Sequence, residues 1–128
     1  MPHQLERLDG KPILISTFNG VLKAEELRVW WAAVNDHSAA IGRGYHIVDV
    51  RDISLDLNSL MAVSRERWVQ DAIIHFDDLP LTPVLIGTDE MARIANNLGR
   101  TPQYSRLTVP IFRSREEALA YIQMTGSV

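Results

Sequence analysis

Along this chain, short runs of β-branched and aromatic residues alternate with longer segments whose apolar residues recur every three or four positions, and few folds accommodate that rhythm. Strands separated by helical segments cannot pair through tight turns. They pair in parallel, with each helix crossing over the sheet. Pro12 to Phe18 reads as the first strong strand, and Asn19-Gly20, a pair that tolerates positive φ, is expected to turn the chain out of it. From Lys23 onward, Ala24, Leu27, Trp31, Val34 and Ile41 fall at helical intervals, with Glu25, Glu26, Arg28 and Asp36 elsewhere on the surface; Gly42 and Gly44 supply the stop. Tyr45 to Val50 follows as a second strand, and the polar Arg51-Asp52 marks where the chain leaves the sheet.

Asp56 to Asp77 reads as one long helix. Its Leu60, Met61, Val63, Trp68, Val69, Ala72, Ile73, Ile74 and Phe76 cover too wide an arc for a single stripe, so the second half needs cover on two sides, from the core or from a partner. Pro83 to Gly87 is a short apolar strand. Thr88 is placed to cap a helix Asp89 to Leu98, which Gly99 closes before Pro102. Thr108 to Phe112 gives the last strand. Ser114-Arg115-Glu116-Glu117 then fits a capping box, the serine meeting the amide three residues on and Glu117 reaching back, ahead of a terminal helix with Ala118, Leu119, Tyr121 and Ile122 on its apolar side. With Leu5 to Leu8 as an edge strand, the expectation is one α/β domain over residues 1–128, with a mainly parallel sheet of four or five strands and about four helices.

Composition narrows the function classes. The 46% hydrophobic and 23% charged content is that of an ordinary globular domain. No apolar run approaches the ~20 residues of a membrane-spanning helix, and Met1 to Asp9 lacks the apolar block of a signal peptide, so the expected compartment is the cytoplasm. The absence of cysteine removes disulfides, a thiol nucleophile and thiolate metal sites. A net charge of −3 argues against a nucleic-acid partner. His3, His37, His46 and His75 form no short metal-ligand spacing, and there is no nucleophile elbow, phosphate loop or dinucleotide turn; Gly42-Arg43-Gly44 precedes a strand instead of following one. No cofactor, metal or catalytic residue is assigned on these grounds.

The strand Ile13 to Phe18 with Asn19-Gly20, the helix start Lys23-Ala24-Glu25-Glu26, the stretch Ile47-Val48-Asp49-Val50-Arg51-Asp52-Ile53 and the closing Ile111 to Ile122 together resemble the STAS, or anti-sigma-factor-antagonist, fold, and most closely its SpoIIAA-like members. That resemblance implies a non-enzymatic regulatory or protein-interaction domain. Lipid-binding relatives of the fold imply an alternative, the carriage of a small hydrophobic ligand. Antagonists of this kind carry a phosphorylatable serine at the start of the helix after the central strand, within an Asp-Ser-Ser/Thr-Gly-like stretch. The matching region is Asp56-Leu57-Asn58-Ser59-Leu60, which makes Ser59 the candidate acceptor; here the small residue after the serine is missing and the aspartate lies three positions earlier.

The residues themselves suggest three sets of positions. Trp30, Met61, Trp68, Val69, Ile73, Ile74 and Phe76 could form a surface for a protein partner or a second copy of the chain, and Trp30, Met61, Trp68 and Phe76 could equally line an apolar cavity. Thr88, Arg113, Ser114 and Arg115 lie near helix amino termini, where backbone amides attract anions. Asp49, Asp52 and His46, near a central strand, are the residues an enzyme lacking a standard motif would use.

Overall fold

The computed structural model describes residues 3–21, 23–54, 57–74, 76–100 and 109–125, with the backbone alone at 57, 59, 60, 73, 74, 77, 95, 98 and 99. Strands β1 (His3–Arg7), β2 (Ile13–Val21), β3 (Gly44–Ser54), β4 (Leu81–Ile86) and β5 (Ile111–Phe112) form one sheet in sequential order. β1 pairs antiparallel with β2, and every other pairing is parallel. The sheet is therefore mixed at one edge and parallel elsewhere, as expected of strands joined by crossover helices. The helices are α1 (Ala24–Ile41), α2 (Leu57–Ser64), α3 (Arg67–Ile74), α4 (Asp89–Gly99) and α5 (Arg115–Thr125), with a 3-10 turn at Phe76–Asp78. No helix among the described residues is long and apolar enough to cross a membrane.

Two cores follow from strand alternation, which sends successive side chains to opposite faces. On one face Ile13, Ile15, Ile47, Val84 and Ile86 pack against Ala118 and Ile122 of α5. On the other, Leu14 and Leu81 pack with Val34 of α1, flanked by Trp30, Trp31 and Ile41. A right-handed crossover from β2 to β3, and another from β3 to β4 in the same direction, place their helices on the same face. Residues of α1, α2 and α3 accordingly share one side of the sheet.

Several boundaries differ from the sequence expectation for identifiable reasons. The single helix Asp56 to Asp77 is two helices. Ser64 Oγ donates to the Met61 carbonyl (2.7 Å), and the Arg65 and Glu66 amides bond three residues back, to Ala62 (3.3 Å) and Val63 (3.0 Å), which tightens and ends the turn. Asn19-Gly20 does not end its strand; β2 runs on to Val21, Gly20 takes φ 80°, and the pairing with β3 slips in register between Thr17 and Asn19. Of the pair assigned to stopping α1, Gly42 does so, with φ 87° and its amide on the Ser38 carbonyl (2.9 Å). Gly44 instead opens β3, where a Cβ would lie 2.0 Å from the Pro12 carbonyl oxygen.

The last strand is Ile111–Phe112 where Thr108 to Phe112 was expected; Val109 and Pro110 are not in a strand, and Thr108 lies outside the described residues. Its shortness explains how β4 tolerates Pro83. The Leu85 and Gly87 amides donate to Pro110 and Phe112, so alternate amides of β4 point toward β5, and at Pro83, where the N–H is missing, β5 offers no paired residue. The edge strand is His3–Arg7, and Leu8 has left it to pack against the α5-side core.

Candidate functional site

Between α1, the α2–α3 pair and the sheet lies an apolar cavity of about 410 Å³. Trp30, Trp31 and Val34 enter it from α1, Val63 from α2, Trp68, Val69 and Ala72 from α3, and Phe76 from the turn that follows. His46 and Val48 of β3 and Leu81 and Pro83 of β4 line it from the sheet. The broken helix accounts for this lining. A straight rod could not turn both Val63 and the Trp68, Val69, Ala72 group toward the sheet, and the break at Arg65-Glu66 re-aims the second group.

Aromatic contacts brace the wall. Trp31 stacks on Trp68, with centroids 5.7 Å apart and planes at 27°, which ties α1 to α3. Trp30 meets Phe18 edge-on at 5.0 Å and lies 5.6 Å from Trp31 and 5.8 Å from His46. Outside the cavity, Arg28 of α1 donates to Glu66 at the helix break (3.0 Å). The exposed Asn35 and Pro80 are also in contact with the space, on its outer side.

A polar chain runs from this wall into the sheet. Trp30 Nε1 donates to Ser16 Oγ (2.9 Å), and Ser16 Oγ lies 2.7 Å from His46 Nε2. An indole N–H can only donate, so the serine oxygen accepts there and its own hydrogen is available for the imidazole. The hydroxyl can serve either tautomer, donating to a bare Nε2 or accepting from a protonated one through its second lone pair. Burial, with His46 only 5% exposed, brings its pKa down to about 4. A neutral imidazole suits these apolar surroundings.

Two further buried polar atoms belong to cavity residues and have no hydrogen-bond partner among the described residues: Ser38 Oγ and Trp68 Nε1. Ser38 was legible in principle, since it continues the α1 stripe of Trp31, Val34 and Ile41 as a polar residue in an apolar series. Ser16 was legible in the same way, closing the run Ile13-Leu14-Ile15.

The other sequence candidates are distributed differently. Trp30, Trp68, Val69 and Phe76 come together at the cavity, whereas Met61 does not line it and is 46% exposed. The side chains of Ser59, Ile73 and Ile74 lie outside the described residues, as does His75. Asp49 is held by Arg51, whose Nε and Nη2 donate to the two carboxylate oxygens at 3.1 and 2.8 Å. Burial works to raise the Asp49 pKa, but hydrogen bonds and charge from Arg51, with charge from Arg115, hold it below the usual carboxylate range. Asp52 is exposed.

At the expected anion site the polar groups are engaged locally. Thr88 Oγ1 accepts from the Met91 amide (3.2 Å) and Ser114 Oγ from the Glu117 amide (3.2 Å), so both hydroxyls cap helices. Arg113 pairs with Asp89, and Arg115 pairs with Glu6 of β1 at 2.8 Å. No group of three or more metal-ligating side chains is gathered among the described residues.

No family model and no curated protein matches the chain. Among solved structures, it is similar to an uncharacterized protein of the DUF3478 family with a SpoIIAA-like fold from Shewanella loihica PV-4, with a TM-score of 0.62 at 16% identity, over 94% of this chain and 91% of that one. At that identity the likeness speaks for architecture alone. The chain has an α/β SpoIIAA-like fold.

Proposed function

We propose that this domain binds a small hydrophobic molecule in the cavity between α1, α2–α3 and the sheet. The observation that carries the reading is the cavity itself: about 410 Å³ of apolar space walled by Trp30, Trp31, Trp68 and Phe76, within the size range of small-ligand sites. Its apolar walls offer an occupant dispersion contacts and shelter from water. The competing reading, a regulatory domain that docks a protein partner or a second copy through the wide arc of the second helical region, draws on Val69 and Phe76. Both also line the cavity, so they support the ligand reading as well.

A neutral fluorescent naphthalene such as N-phenyl-1-naphthylamine tests the proposal by titration against the purified protein, read through its emission and through tryptophan quenching. The expected result is saturable, one-to-one binding that is lost in Ala72→Phe and in Val63→Phe, which extend two different helices into the space. Two such variants guard against one failing to fold, and circular dichroism checks each. Absence of saturable binding, or binding indifferent to both substitutions in folded protein, overturns the proposal.

A further inference from the structure

The geometry points to an amphiphile as the occupant of the cavity, held with its apolar part inside and its polar end at the mouth between Asn35 and Pro80. The inference rests on reading the cavity as a ligand site and adds the class of molecule and the way round it binds. Among the described residues that line the space, Asn35 of α1 and Pro80 before β4 alone are exposed, and they mark where it meets water. Elsewhere the two helical walls are joined. Trp31 stacks on Trp68, with centroids 5.7 Å apart, and Arg28 pairs with Glu66 at 3.0 Å between α1 and the α2–α3 break. The Pro80 side of the mouth is held in place by its carbonyl, which accepts from the Gly44 amide (3.2 Å) at the start of β3.

Inside, little replaces the water that a polar group would lose. No Lys, Arg, Asp or Glu lines the space among the described residues, and His46, the titratable residue in the wall, is buried with Nε2 on the Ser16 hydroxyl. An apolar chain or ring gains by entering, whereas a hydroxyl, amine or carboxylate carried into the interior forfeits its hydration. At the mouth the same group stays in water. Asn35 stands there with no hydrogen bond to its carboxamide among the described residues, and a carboxamide both donates and accepts, so it suits a polar end of either kind. The site therefore tolerates one polar group, charged or neutral, provided that it lies at one end of the molecule.

Two isomeric alcohols, 1-nonanol and 5-nonanol, differ only in where the hydroxyl sits. Titrated at pH 7.5 by calorimetry and by displacement of N-phenyl-1-naphthylamine, the terminal alcohol is expected to bind about tenfold more tightly, because a central hydroxyl is either buried or keeps part of the chain outside. Asn35→Lys and Asn35→Asp then place a charge at the mouth, on an exposed helix position, and are read with nonanoate and nonylammonium, each as a ratio to 1-nonanol in the same variant. Asn35→Lys should favour nonanoate and Asn35→Asp nonylammonium, by about two- to fivefold, the range of an exposed ion pair. A general disturbance of the fold would move all three ligands together and leave those ratios flat. Equal affinity of the two alcohols, ratios indifferent to the charge at position 35, or no binding of the alkyl ligands where the naphthylamine binds overturns the proposal while the ligand reading stands. If neither they nor the naphthylamine bind, the ligand reading and this inference fall together.

Discussion

Acidification should unfold this domain through His46 before the carboxylates contribute much. The imidazole titrates at about 4 in the folded chain against an ordinary value of 6.5, with burial as the cause. Between those values the unfolded chain holds a proton that the folded one does not, so stability rises with pH in that window by up to about 1.4 kcal/mol per pH unit. The contribution is fully present above the unfolded pKa and is lost as pH falls toward the folded one. From pH 7.5 to 4.5 the integrated loss is on the order of 2.5 kcal/mol, a large share of the stability of a domain this size. Structurally, protonation leaves a charged ring beside Trp30 and the apolar wall. Urea unfolding at intervals between pH 7.5 and 4.5, for wild type and for His46→Gln, measures the effect. Asp49, held down by Arg51, adds its own loss at the acid end of the range in both proteins, so the difference between the two curves isolates His46. Direct NMR titration of the His46 ring in wild type gives the same quantity even where the variant folds poorly. Parallel pH dependence in the two proteins, or a His46 ring that titrates near 6.5, refutes the reasoning.

Two serines on the same side of the sheet should answer the same substitution in opposite ways. Ser16→Ala strands both Trp30 Nε1 and His46 Nε2 and should cost about 1–3 kcal/mol, whereas Ser38→Ala removes an oxygen with no partner among the described residues and should be neutral or slightly stabilising. Chemical denaturation of both variants checks the contrast. Gly44→Ala drives a methyl to 2.0 Å from the Pro12 carbonyl oxygen, the same oxygen that accepts from the Tyr45 amide at 2.9 Å. The β2–β3 register must shift to relieve it, and a loss of about 3 kcal/mol or more is expected in thermal unfolding; a variant within about 1 kcal/mol of wild type would show that this approach is not constraining.

Local chemistry in the sequence was enough to specify most elements of the fold. Apolar runs such as Ile13-Leu14-Ile15 and Val84-Leu85-Ile86 are strands because both faces are covered, and the caps at Thr88 and Ser114 sit where hydroxyls meet the free amides of a helix start. Their alternation with helices dictates parallel pairing, since a chain returning to the same end of a sheet needs a crossover. The candidate site was legible only in part: Trp30, Trp68, Val69 and Phe76 stood out by type, while Val63, Ala72, Leu81 and Pro83 are ordinary apolar residues that no local pattern singles out. What joins them is the shared handedness of two consecutive crossovers, which lays α1 and α2–α3 side by side on one face, and the break at Arg65-Glu66, which tilts the second helix inward. A cavity exists only where surfaces from distant segments fail to meet, and no local pattern in a sequence records where that happens.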